Sequence, residues 1–220
     1  MKVAMIPARM GSQRLKRKNL EMFGGVTLIE HAILRCKEAA VFDEIYVNSE
    51  SDVFEGYALK HGVKFYKRPA VLGNHTSTSE DFVFDFFNNV ECTNLYQIHS
   101  ITPLLSANEI SEFFAFCESS DHDTVLSCIH DQIEVAFNGA PVNFNFTSKT
   151  NSQELSPVQR VTWAATKWSR DAFLCTVHEG GVGTYSGRIG FFPVGPFTGL
   201  AIKTSEDLRV ANALRGVFDA

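Results

Sequence analysis

A three-layer α/β fold with a mainly parallel, doubly wound sheet is what this sequence predicts, and three observations predict it. Short apolar runs alternate with stretches of helical periodicity through residues 3–129. Most of those runs end in polar loops, the pattern of parallel strands joined by crossover helices. The first run passes at once into Pro7-Ala8-Arg9-Met10-Gly11-Ser12, a small-residue loop that gathers cations.

Element by element, residues 3–7 are an apolar strand. Residues 28–39 place Leu28, Ile29, Ala32, Ile33 and Cys36 at helical spacing. A strand over 44–48 ends in Asn48-Ser49-Glu50, and a helix over 52–61 closes at Gly62, a glycine suited to the left-handed C′ position. A strand over 63–66 runs into Lys67-Arg68-Pro69, and a helix over 78–88 carries phenylalanines on one face. The strand 95–99 is followed by a helix over 108–117, with Ser106 or Asn108 available as its cap. A further strand covers 124–129. After a break, residues 189–193 and 199–202 read as strands and 205–214 as a helix. Thr204 or Ser205 caps that helix, and Glu206 and Asp207 suit its dipole.

The break lies between residues 130 and 168, inserted within a single domain spanning 1–220. Asn, Thr, Ser and Gln dominate 138–159, while Val142, Phe144 and Phe146 alternate as in a hairpin strand. This segment reads either as an arm packed on a second subunit or as a mobile lid. Alternating aromatics require burial, which favours the arm and hence a homodimer.

Composition narrows the class. A chain of 220 residues with 45% hydrophobic and 20% charged residues can bury a full core. A net charge of −5 argues against a nucleic-acid partner, which calls for a broad basic face. The five cysteines form no C-x-x-C pair and read as free thiols of a reducing cytoplasm. No apolar run approaches the roughly 18 residues of a membrane span, so a soluble protein without a membrane partner is expected.

Ligands of such sheets bind outside the carboxyl ends of the strands. Loops 9–19, 48–52, 68–78 and 99–105 therefore belong to one site. In the first loop Arg9, Arg14, Lys16, Arg17 and Lys18 crowd Gly11 and Ser12, which suits a ligand with several phosphates. Arg9 and Lys18 are the chief phosphate candidates and Arg14 an additional one, whereas Lys16 and Arg17 are as readily solvated. Gly11 and Ser12 allow close backbone approach. His75 and His99 lie at neighbouring loops, but seven histidines without ligand spacing predict no histidine metal site. Gly180-Gly181-Val182-Gly183 lacks a preceding strand and reads as a turn. Ser12 has no G-x-S-x-G frame.

Taken in order, several segments resemble one family. The opening strand and loop through Lys18-Asn19-Leu20, Ile45-Tyr46-Val47-Asn48-Ser49-Glu50, Arg68-Pro69-Ala70-Val71-Leu72 with His75-Thr76-Ser77-Thr78, Thr102-Pro103-Leu104, and Thr204-Ser205-Glu206-Asp207-Leu208 are similar to the motifs of CMP-sialic acid synthetases and their CMP-pseudaminic, CMP-legionaminic and CMP-Kdo relatives. The resemblance implies a nucleotide-diphospho-sugar transferase fold with a dimerisation arm. It also implies transfer of CMP from CTP to an acidic α-keto sugar, with release of pyrophosphate. On that pattern Ala8, Arg9, Gly11, Ser12, Arg14, Lys18 and Asn19 would hold the nucleotide. Arg68 would read the base, and Thr76 and Ser77 the base or ribose. His99 and Thr102 fall near the acceptor.

The departures concern metal. The family's last strand carries an Asp-x-Asp pair for Mg²⁺, where this chain has Ala201 and Lys203. Thr102 stands where the Kdo branch has Asp, His75 precedes Thr76 in place of Asp, and Leu105 replaces an Arg. Three expectations stay open. Mg²⁺ is carried mainly by CTP phosphates and water, with Lys203 joining Arg9 and Lys18 in catalysis. Alternatively, the chain binds nucleotides without turning them over, or it is a nucleotidyltransferase with a different acceptor.

Overall fold

The computed structural model describes residues 1–218. In chain order its elements are β1 (Lys2–Pro7), β2 (Met22–Phe23), β3 (Val26–Thr27), α1 (Leu28–Ala39), β4 (Glu44–Ser49), α2 (Val53–His61), β5 (Lys64–Lys67), α3 (Ser79–Asn89), β6 (Asn94–Ile98), α4 (Ala107–Ser119) and β7 (Thr124–Asp131). They continue as β8 (Ala136–Phe137), β9 (Ala140–Pro141), β10 (Val158–Ser169), α5 (Arg170–His178), β11 (Ile189–Pro193) and α6 (Ser205–Phe218). Seven strands form one sheet in the order β11-β7-β10-β6-β1-β4-β5. Every pairing is parallel except those of β10, which runs antiparallel to β7 and β6.

Side-chain alternation along the strands generates the three layers. Ala4 and Ile6 of β1 face a core shared with Ile29 and Ile33 of α1, Phe54 of α2 and Phe113 of α4. Val3 and Met5 face the opposite core, with Phe86 and Phe87 of α3 and Phe173 of α5. Each fully buried apolar side chain contributes on the order of 2 kcal/mol of transfer free energy. A third cluster packs Ala211 of α6 and Ile202 against Phe23 and Leu28, so α6 closes over the β2–β3 hairpin.

Short polar residues set the helix starts. Thr27 accepts from the Glu30 N–H while Glu30 receives the Thr27 N–H, a reciprocal cap for α1. Thr78 and Asp81 do the same for α3, and Ser106 and Glu109 for α4, so the α4 cap is Ser106. Asn108 lies inside that helix and bonds Glu112. Thr204 and Asp207 exchange the equivalent pair at α6.

Three expectations change. The arm is shorter than residues 130–168, because Val158–Ser169 is a sheet strand flanked by β7 and β6. Val142, Phe144 and Phe146 form no strand; Phe146 is 74% exposed and its ring meets only Phe144, at 5.7 Å, among the ring pairs of the described residues. Residues 199–202 also form no strand. Ile202 is fully buried and its N–H donates to the Ile101 carbonyl, which ties the segment to the loop after β6.

Candidate functional site

The parallel strands β1, β4, β5 and β6 deliver their following loops to one end of the sheet, where two cavities adjoin. The smaller, about 250 Å³, is walled by Ala8, Arg9, Ser12, Lys18, Asn19, Arg68, Ser77 and His99 together with Leu72 and Phe82. The larger, about 810 Å³, includes Thr102, Arg160, Trp163, Phe197, Ala201 and Lys203. His99 and Ile101 belong to both walls, so the cavities form one cleft.

The loop after β1 is braced from beneath. Met10 N–H donates to Glu50 Oε1 at 2.9 Å, and Arg9 Nη1 donates to the Asn74 carbonyl at 3.2 Å. Asn19 is buried, with its amide donating to the Arg9 carbonyl (3.2 Å) and its oxygen accepting from the Ser100 hydroxyl (3.0 Å). Asn19 thus fixes the loop instead of extending a free amide. Arg17 has φ 52°, and this left-handed residue turns the chain into the short 3₁₀ helix Lys18–Leu20, placing Lys18 in the wall.

Cations converge here. Burial, followed by the charges of Arg14, Arg9 and Lys203, lowers the Lys18 pKa to about 8. Burial, with Lys18 second, lowers the His99 pKa to about 4, so His99 is a neutral imidazole where the cavities meet. Its Nε2 lies 2.7 Å from Gln97 Nε2.

Arg68 is not the surface residue that a proline turn allows. It is 2% exposed, donates to the Ala8 carbonyl and to Glu50 (both 2.8 Å), and sits over the Phe82 ring at 5.0 Å. Its buried Nε has no hydrogen-bond partner among the described residues.

The remaining candidates divide. Ser77 is in the wall, with its hydroxyl donating to the Val71 carbonyl. Gly11, Arg14 and Thr76 are outside both walls. A Cβ on Gly11 would meet Gly73 O at 3.7 Å, an ordinary contact, so space within the chain does not demand a glycine. Thr76 is exposed and, with Ser77, donates to Asn74 Oδ1 in a local turn. His75 is exposed and lines neither cavity. Sequence reading missed Phe82, Arg160, Trp163 and Phe197. Phe82 stood out only as one of several phenylalanines, and the other three come from segments without a loop motif.

The carboxylate pair implied for Mg²⁺ has no counterpart. Among the described residues no three His, Cys, Asp or Glu side chains cluster to hold a metal. Asp207, the acid in the larger wall, accepts the backbone N–H groups of Lys203 and Thr204, both at 2.8 Å. With Ala201 and Lys203 beside it, this donor set does not fit a protein-held divalent cation, which requires several oxygen ligands.

A doubly wound sheet with a cationic loop after its first strand and a cleft at its carboxyl end is an arrangement in which α/β proteins bind nucleotides. Comparison makes the class specific. Residues 3–179 match the cytidylyltransferase family model, and the chain belongs to that family of nucleotidyltransferases. It is 30% identical over 128 residues to an N-acylneuraminate cytidylyltransferase of Streptococcus agalactiae, a match covering 57% of this chain and 31% of that protein. It is also 30% identical over 118 residues to a pseudaminic acid cytidylyltransferase of Campylobacter jejuni, covering 51% of each. The match thus spans about a third of the streptococcal protein and half of the campylobacter one. In fold it is similar to CMP:2-keto-3-deoxy-manno-octonic acid synthetase complexed with CTP, at TM-score 0.72 and 17% identity, with 98% of each chain covered. A 4-diphosphocytidyl-2C-methyl-D-erythritol synthase from Anaerococcus prevotii superposes at TM-score 0.69 and 13% identity, again over 98% of each.

Proposed function

We propose that this protein transfers CMP from CTP to an acidic α-keto sugar and releases pyrophosphate. The observation that carries this reading is the two-chambered cleft with Arg9 and Lys18 in one chamber, Lys203 in the other, and His99 between them. In this reading the smaller chamber takes the nucleotide and the larger one the acceptor. Such a transfer depends mainly on aligning the acceptor oxygen with the α-phosphate and neutralising charge that moves onto the leaving pyrophosphate. Arg9 and Lys18 meet the phosphates, and Lys203 adds positive charge from the far side. Neutral His99 stands where the acceptor hydroxyl gives up its proton. Mg²⁺ enters this proposal only as an ion brought by the CTP phosphates.

A second reading, nucleotide binding without transfer, is favoured by Ala201 and Lys203 at the positions of the absent acids. One assay separates the two. Incubation with CTP and a panel of ulosonic acids should yield pyrophosphate and a CMP-sugar, with ATP, GTP and UTP inactive. Tight CTP binding with no product across the panel would favour the second reading.

The proposal extends to a cytoplasmic homodimer. No helix among the described residues is long and apolar enough to cross a membrane. Phe137, Val142 and Phe146, between β7 and β10, are 72, 56 and 74% exposed and supply an apolar surface for a second copy. Light scattering should give twice the monomer mass.

A further inference from the structure

The larger cavity has an unusual balance for a sugar site. Ile101, Ile129, Val161, Trp163, Phe197 and Leu200 make up much of its wall. Several of its polar side chains are already engaged. The Thr102 hydroxyl donates to the His99 carbonyl at 2.9 Å, and Thr162 Oγ1 pairs with Ser127 Oγ at 2.9 Å. Asp207 receives two backbone N–H groups, and Arg160 Nε is 2.6 Å from Asp131. Lys203 and the remaining guanidinium N–H groups of Arg160 are left to meet an anion. Away from His99, which meets the reacting hydroxyl, a ligand hydroxyl pressed against the rest of this wall would lose water without gaining a partner.

Trp163 is held in that wall by a local distortion. Between the pairs Val161↔Cys128 and Thr166↔Leu126, β10 advances five residues while β7 moves back two. Inside this bulge Trp163 has φ 60°, a left-handed conformation that a bulky residue takes only when its surroundings impose it. Bulges of this kind re-aim side chains beside functional sites. The Tyr185 ring packs 6.2 Å from the indole. The distortion has a fitting use, because an aromatic face binds methyl and acyl groups without asking for hydrogen bonds.

Resting on the function proposed above, we infer that Trp163 is a specificity-determining residue. It makes this cavity select a carboxylate-bearing acceptor whose other substituents are largely deoxygenated or N-acylated, over one hydroxylated throughout. Lys203 and Arg160 take the carboxylate, and Trp163 faces the apolar groups.

The test uses the full chain and three acceptors: pseudaminic acid (deoxygenated and doubly N-acylated), N-acetylneuraminic acid, and the hydroxylated octulosonate Kdo. The chain has two tryptophans, and Trp168 is fully buried in the core, so fluorescence quenching reads Trp163 without requiring turnover. Pseudaminic acid should quench at concentrations at least tenfold below the other two. It should also show at least tenfold higher kcat/KM. W163A should erase the preference mainly through KM, W163F should keep most of it, and both should bind CTP as the parent does, which reports an intact fold. Equal use of all three acceptors, or an unchanged preference in W163A, would overturn the inference. Selective quenching without pyrophosphate release would sink the transferase reading and support the pocket's selectivity. Pyrophosphate release without selective quenching would do the reverse.

Discussion

Arg68 Nη2 and Glu50 Oε2 lie 2.8 Å apart, almost wholly out of water, and the other Glu50 oxygen holds the Met10 N–H. One ion pair therefore joins the end of β5 to the loop that follows β1. Removing one partner strands the other as a buried charge, typically at about 3–5 kcal/mol. Arg68→Ala should lower the urea midpoint markedly. Glu50→Gln keeps one oxygen for the Met10 N–H but turns an NH2 toward the still-buried Arg68 guanidinium, so it too should lower the midpoint. A midpoint unchanged in both variants would show that the ion pair contributes nothing.

On the proposed function, Lys18 should make nucleotide binding depend on pH. Its pKa in the free protein is about 8, so the ammonium is present below that value and lost above it. CTP affinity should fall as pH rises through 8. Bound phosphates favour the charged form, so calorimetry near pH 8.5 in buffers of different ionisation enthalpy should show proton uptake. Lys18→Ala should weaken CTP by roughly 10- to 100-fold, the equivalent of about 1.5–3 kcal/mol for a charged hydrogen bond. The sign for stability is opposite. Between about 8 and the unfolded value near 10.5 the unfolded chain holds the extra proton, so this group's contribution to stability grows with rising pH.

Lys203 and Lys18 are coupled through charge, Lys203 being one of the cations that lower the Lys18 pKa. In Lys203→Ala the pH limb of CTP binding should move upward. Turnover, with CTP saturating, should drop by about 10²-fold if this cation stabilises the transition state. A stationary limb would place the two ammonium groups too far apart to interact.

Glu30 anchors α1 and carries an acid-stability signature. Burial works to raise its pKa, yet hydrogen bonds from Lys60 (2.5 Å), Thr27 and His61 bring it down to about 2. Its contribution is present above the unfolded value near 4.5 and is lost as pH falls from there towards 2. Thr27→Ala should cost about 1 kcal/mol through the lost cap. Denaturation between pH 2 and 5 should be flatter in Glu30→Gln than in the parent.

The parallel half of the sheet was legible because each part carried a local signal. Leu28 to Ala39 showed the right period, and the chain is helical over that range. Strand-end loops gave the cationic chamber, since Arg9 and Arg68 follow closely on β1 and β5 and Lys18 belongs to the same loop as Arg9. β10 was hidden because it is antiparallel, mixes polar Gln159, Arg160 and Thr162 with apolar residues, and follows an Asn-rich stretch. Phe144 and Phe146 imitated strand alternation although no sheet receives them. Helix α5 begins directly after β10 without a loop, so its only start signals were Ser169 and Asp171, and sequence reading missed them. Trp163 was out of reach for a related reason. Its place in the wall depends on a bulge, and a bulge depends on which strands are neighbours.

The position of β10 also governs the order in which the molecule can be completed. Residues 1–98 contain β6, β1, β4 and β5 and can assemble as a four-stranded unit, whereas β7 reaches that unit only through β10. A nascent chain that has emerged only to residue 157 thus carries open edges on β6 and on both sides of β7, because β10 and β11 both lie further on. The two edges that face each other stay open to wrong partners until Val158–Ser169 slots between them. During synthesis, the strand that positions Trp163 is also the one that joins the two parts of the sheet.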